Sequence, residues 1–219
     1  MSYINNPESL VPLLGSLLDG STKTLMIFFL TIIFSLPLGF LCSLCSISKV
    51  SVVRRITNLY ILLMRGTPLM LQLMFFYYGL NIAGINIDRF PSAILSMILN
   101  YTAYYSEIFR GGIQSIERGQ HEAADVLGFS KAQTMRKIVL PQVIKRVMPS
   151  IGNEIITLVK DTALVTAIAV PDLLKMAESA VMRTSDMTPF IVAALFYLIM
   201  ITVVTRILKL IEDKLAYYR

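Results

Sequence analysis

MPSIGNEIITLVKDTALVTAIAV, residues 148–170, is the stretch on which the fold turns. It is long enough to approach a ~30 Å hydrocarbon core, yet Glu154, Lys160 and Asp161 interrupt it. Four other stretches are cleaner. Residues 24–48 are uncharged and contain Pro37 and Gly39, 58–80 contain Arg65 as their one charge, 91–109 carry Glu107 near their end, and 187–205 are uncharged. Hydropathy alone therefore gives four membrane spans and leaves 148–170 open.

Charge asymmetry decides the fifth. The segment 48–57 carries Lys49, Arg54 and Arg55 and no acid, and 110–146 carries Arg110, Arg118, Lys131, Arg136, Lys137, Lys145 and Arg146. The tail adds Arg206, Lys209, Lys214 and Arg219. By contrast, the chain up to Gly20 has only Glu8 and Asp19, residues 81–90 balance Asp88 against Arg89, and 172–186 is about neutral. Basic residues collect on the cytoplasmic side of a membrane, which puts the N-terminus outside and the C-terminus inside. That requires an odd number of crossings, so 148–170 must be one. The expectation is an all-α integral membrane protein forming one domain over 1–219. Its five transmembrane helices lie near 22–47, 57–80, 90–110, 147–170 and 187–210, and 111–146 is a cytoplasmic loop. No internal repeat pairs these spans, which speaks against inverted-repeat transporter architectures.

Composition agrees with a lipid-embedded chain: 55% hydrophobic and 16% charged residues, with mean hydropathy +0.67. The net charge of +6 is no sign of nucleic-acid binding, because the basic residues lie between apolar stretches without a dense basic-aromatic patch. Cys42 and Cys45 sit in an apolar run and the single His121 is remote, so no metal pattern forms and the thiols read as small buried residues. Nor is there a Ser/His/Asp set. The N-terminus lacks the basic region and cleavage site of a removable signal. Gly15 to Thr22 has two glycines at phosphate-loop spacing but no Lys, so the chain is not expected to hydrolyse ATP or to bind a cofactor itself.

The most specific pattern lies in the long basic loop: Glu122-Ala123-Ala124, then Gly128, then Ile138, Leu140 and Pro141. Residues 120–127 suit a short helix with Glu122 near its positive end. The two alanines leave a low-relief surface, Gly128 suits a helix terminator, and Pro141 suits the start of the next helix. This spacing resembles the EAA loop of ABC importer permeases at every position. Arg65-Gly66-Thr67-Pro68 with Gln72 and Tyr77-Tyr78-Gly79 looks like the second-helix signature of the polar amino-acid permeases. So do Tyr104 to Gly112, Gly152-Asn153-Glu154, and Lys160-Asp161-Thr162. The resemblance covers the chain from about Ser21 onward. It implies the membrane subunit of an amino-acid importer in a bacterial cell membrane. It also implies two ATPase subunits that carry ATP and Mg and dock on the short loop helix. A second permease, identical or related, and an extracytoplasmic substrate-binding protein complete the implied assembly.

Charged groups inside a bilayer face the bundle interior and usually serve a pathway. Glu154 and Asp161 are two helical turns apart and so share a face; together they suit an ammonium group. Arg65, with the Gly66 and Thr67 backbone, suits an α-carboxylate. Asn100, Tyr104 and Glu107 are possible neighbours. Two acids favour a basic amino acid. The bland readings stay open at this point: Glu154 paired with Lys160 or Arg65, Arg65 reaching the interface, Glu107 paired with Arg110. The rival function is a membrane scaffold or assembly subunit that binds a soluble partner and moves no solute.

Overall fold

A computed structural model describes Glu8 and residues 10–215. Arg219, counted above in the basic tail, lies outside the described residues. The described chain is helical, and no strand occurs among the described residues.

The longest element, α1, is an unbroken helix over Leu10–Ser46, about 55 Å at 1.5 Å per residue. It begins well before the expected span at 22. Leu10, Leu13 and Leu17 recur at helical spacing and carry the helix back, while Asp19, counted above on the outer side, is merely an exposed residue within it. Apart from Leu13, Leu17, Ile27 and Phe28, the face α1 buries is small and polar: Gly20, Ser21, Thr24, Thr31, Ser35, Gly39, Ser43 and Ser46. Its exposed face is Leu18, Leu25, Phe29, Ile33 and Leu41. In lipid this inversion is sensible, since a leucine gains nothing by leaving hydrocarbon and small residues let backbones approach.

Next come α2 (Ser51–Gly66) and α3 (Leu69–Ile82), whose axes differ by 106°. The expected second span, 57–80, is therefore a broken helix and not a straight one. α4 (Arg89–Gln114) lies along α1. A Cβ on Gly39 would stand 2.6 Å from Tyr105 Cβ and 3.2 Å from the Thr102 carbonyl oxygen, so the α1–α4 contact requires glycine there. The main core gathers Phe28, Met97, Tyr101, Tyr105, Val143 and Leu158 between α1, α4 and the helix that follows the long loop.

After the short helix α5 (Arg118–Val126), one helical turn at Lys131–Thr134 runs through a π turn, Met135–Val139, into α6 (Leu140–Asp161). Pro141 thus opens α6 without opening a free helix end. A π turn widens the ladder by one residue, a local adjustment that suits a proline lacking its N–H. α6 continues as a 3₁₀ segment, Thr162–Ile168, which ends at Ala169 in the left-handed conformation (φ 56°). The region 172–186, read above only as a neutral segment between two spans, holds α7 (Leu173–Thr184). Asp172 caps it, its carboxylate accepting from the Lys175 and Leu174 amides at 3.0 and 3.3 Å and from Thr166 Oγ1 at 3.1 Å. Leu173 and Ala177 of α7 pack with Leu13 and Leu17 of α1 in a second apolar cluster. That contact is why α1 extends so far. α8 (Thr188–Leu215) closes the described chain.

By length and apolarity, α1 and α8 can each cross a membrane, and the bent α2–α3 pair passes the same test as a unit. α4 and α6 are long enough, at 26 and 22 residues, but α4 buries a polar line (Ser92, Ser96, Asn100, Thr102, Ser106) and α6 carries the charged Lys145, Arg146, Glu154, Lys160 and Asp161.

Candidate functional site: a polar cavity and an exposed loop helix

The α2–α3 break builds the cavity. Proline disfavours helical geometry in the residue before it, and Thr67 is extended (φ −122°, ψ 149°) ahead of Pro68. An opened helix leaves carbonyls that must find donors. Gln72, one turn into α3 and buried, supplies them. Its Nε2 donates to the Met64 carbonyl at 2.9 Å, the Thr67 carbonyl at 3.1 Å and Thr67 Oγ1 at 2.8 Å. Asn100 of α4, only 3% exposed, donates to the Met64 carbonyl and to Gln72 Oε1, both at 3.0 Å.

Beside this bend lies a cavity of about 500 Å³ lined by Arg65, Gly66, Thr67, Asn100, Tyr104, Glu154 and Asp161, with Pro68, Leu69 and Thr157. The residues singled out from sequence around the substrate meet here from separate helices, except Glu107, which lines a neighbouring cavity. Asp161 Oδ2 accepts from Tyr101 Oη at 2.8 Å. Arg65 stacks its guanidinium 5.3 Å from the Tyr104 ring centroid and pairs with Glu107 through Nη1 at 3.3 Å. Glu107 also takes two 2.8 Å bonds from Arg110.

The open alternatives now separate. Glu154 makes no ion pair among the described residues, and Lys160 is exposed outside the cavity lining. Glu107 bonds Arg110, as the bland reading had it, and Arg65 is held by Glu107. Asn100 has its amide N–H groups spent on Met64 and Gln72, so it faces the cavity as a brace of the bend. Sequence reasoning gives no bonding role to Gln72, Tyr101 or Thr157. Thr157 follows Glu154 by three residues on the way to Asp161, a helical-face signal that is readable. The bonds of Gln72 and Tyr101 are not, because they depend on a bend and on a contact 60 residues apart.

The second candidate region is α5. It occupies Arg118–Val126, starting earlier than the expected 120, which places Glu122 mid-helix and away from the positive end. Glu122 and Ala123 are exposed, whereas Ala124 is fully buried. Gly128 adopts φ +75°, its amide donating to the Asp125 carbonyl at 3.0 Å, and the Phe129 amide donates to the Ala124 carbonyl at 3.0 Å. This left-handed stop leaves Val126 and Leu127 at 87% and 73% exposure, an apolar knob that the sequence pattern does not mark. α6 is tied to the knob helix through Gln120 and to the C-terminal end of α4 through Ser115. Gln142 Nε2 donates to Gln120 Oε1 at 3.4 Å, and Arg146 Nη1 donates to the Ser115 carbonyl and to Ser115 Oγ. Leu140 and Pro141 sit behind it at the head of α6.

A polar cavity inside a lipid-facing helical shell, with a solvent-facing knob on a basic loop, defines the membrane component of a transporter. Residues 35–217 match the model of the binding-protein-dependent transport system inner membrane components, and the chain belongs to that family. It is 41% identical over 207 residues to the arginine transport system permease ArtQ of Bacillus subtilis (strain 168), covering 94% of each chain. It is 36% identical to the putative glutamine transport system permease GlnP of Rickettsia bellii (strain RML369-C), over 91% of this chain and 92% of that one. A solved amino acid ABC transporter with histidines superposes at TM-score 0.87 and 34% identity, covering 94% of this chain and 97% of that chain.

Proposed function

We propose that this chain forms the translocation path of an ATP-driven importer of polar L-amino acids, with basic side chains favoured. The observation that carries the proposal is the convergence of one guanidinium and two carboxylates on one cavity. Arg65, with the Gly66 and Thr67 backbone, receives the α-carboxylate, a planar anion suited to a guanidinium. Glu154 and Asp161 receive the ammonium groups. Names of relatives point to both arginine and glutamine; the two acids tilt the choice toward the cation.

The rest of the assembly follows from the same reading. The chain crosses the membrane five times, N-terminus outside, with α4 and α6 crossing behind the apolar α1 and α8. The α5 knob, with Glu122, Ala123 and Ala124 and its Gly128 stop, seats in a separate ATPase, present in two copies, which carries the ATP and Mg. A second permease copy or homologue completes the path, and an extracytoplasmic binding protein delivers substrate. A scaffold would have no use for the charged cavity.

Uptake competition in proteoliposomes containing the full complex, run across the common amino acids, tests the substrate class. Asp161→Asn should weaken competition by arginine and lysine by about tenfold, as expected for one lost charge contact, with neutral amino acids much less affected. Equal competition by all amino acids, before and after the substitution, would remove Asp161 from the site. Gly128→Trp should abolish co-purification of the ATPase, since a bulky residue at φ +75° deforms the stop that presents Val126 and Leu127; an intact complex would refute the docking assignment.

A further inference from the structure

Arg65 belongs to two cavities. Besides the one it shares with Glu154 and Asp161, it lines a larger one of about 820 Å³, between the C-terminal end of α1, α2 and α4, where Glu107 and Arg110 lie. The bonds around Glu107 are unequal. Arg110 grips the carboxylate at both oxygens, Nε to Oε1 and Nη2 to Oε2, each at 2.8 Å, and is itself fixed by Gln114 Oε1 at 2.8 Å. Arg65 adds one contact, at 3.3 Å, to the same Oε2. A bidentate guanidinium–carboxylate pair is the strong arrangement, and a single longer contact on a part-exposed side chain is the weak one. Removing Arg65 would leave Glu107 still neutralised. A guanidinium has five N–H donors, so most of those on Arg65 remain for a second anion.

We propose that Glu107 is the resting partner of Arg65, exchanged for the α-carboxylate of the transported amino acid when the cavity fills. This rests on the cavity reading above. Before substrate arrives, Arg65 leans on Glu107 and stands between the two cavities. When substrate enters, its carboxylate takes Arg65, and Glu107 stays behind on Arg110. Glu107 is thus a positioning residue that competes with substrate and sets its affinity. A mere cross-brace between α2 and α4 would not distinguish ligands by their carboxylate.

The test is binding to the purified complex with its ATPase in lipid nanodiscs. The probes are L-arginine and L-glutamine, each against its carboxylate-free amine, agmatine and 4-aminobutanamide. Glu107→Gln should tighten binding of both amino acids about three- to fivefold, the worth of a part-exposed ion pair removed from the competition. Both amines should stay within about twofold of their wild-type binding. In an Arg65→Gln background the same change should have no effect, because the exchange needs both partners. If Glu107→Gln disrupts assembly, Glu107→Asp keeps the charge on Arg110 while withdrawing from Arg65, and should tighten the amino acids in the same way. Unchanged or weakened amino-acid binding, equal shifts for acids and amines, or tightening that persists without Arg65 would each overturn the exchange. Failure of the wild-type complex to bind any amino acid would instead sink the cavity reading beneath it.

Discussion

Pro37 and Pro68 both sit within apolar helical stretches, yet α1 runs unbroken through the first and the second marks a 106° break. Each removes one backbone donor and disfavours helical geometry in the residue before it. The neighbours differ. Around Pro37, the buried line Thr31, Ser35, Gly39 and Ser43 continues on both sides, and this line packs on α4, so a break would pull half of α1 away from its partner. Around Pro68 the bend has donors of its own in Gln72 and Asn100. A proline therefore proposes a break, and side chains elsewhere accept or refuse it.

Gln72 is where this contrast can be broken most severely. Gln72→Leu strips the Thr67 carbonyl of its donor and leaves Asn100 without its Gln72 acceptor, and each unsatisfied buried group costs about 1–3 kcal/mol. Thermal unfolding in detergent should show a loss of roughly 2–4 kcal/mol, and uptake should fall with it. A stability equal to wild type would mean that Pro68 alone holds the bend. The next effect falls on the unbroken helix. Gly39→Val drives side-chain atoms into Tyr105 and Thr102, an overpacking of about 1–3 kcal/mol, visible as a lowered unfolding midpoint with the α2–α3 cavity left intact. The smallest change sharpens the contrast. Pro37→Ala restores a helical donor, and because α1 already accommodates the ring the change in stability should be about 1 kcal/mol or less, measured the same way. A large gain, or a loss of transport, would show that Pro37 stores a kink used in the cycle.

Much of the site can be read from the chain. Glu154 and Asp161 fall on one helical face by spacing alone, and charges inside an apolar stretch are costly enough to single them out as site candidates. Gly128 is readable as a stop because few other residues tolerate a positive φ. Asn100 stands one turn before Tyr104, so spacing places both on the cavity side. Spacing does not reveal that the Asn100 amide is committed to the Met64 carbonyl and to Gln72. α7 escapes a reading by charge because its segment averages to neutral, although Asp172 ahead of Leu173, Ala177 and Ala180 carries a capping and spacing signal.

The linear order of residues settled that this chain is helical, lipid-facing and fitted with a loop helix that stops at Gly128, because hydropathy, charge bias and glycine conformation act locally or add along the chain. Tertiary structure decided which helices bend, how far α1 runs and which polar groups are free to meet a ligand. Those outcomes depend on donors and packing surfaces supplied from distant segments, and no window of sequence contains them.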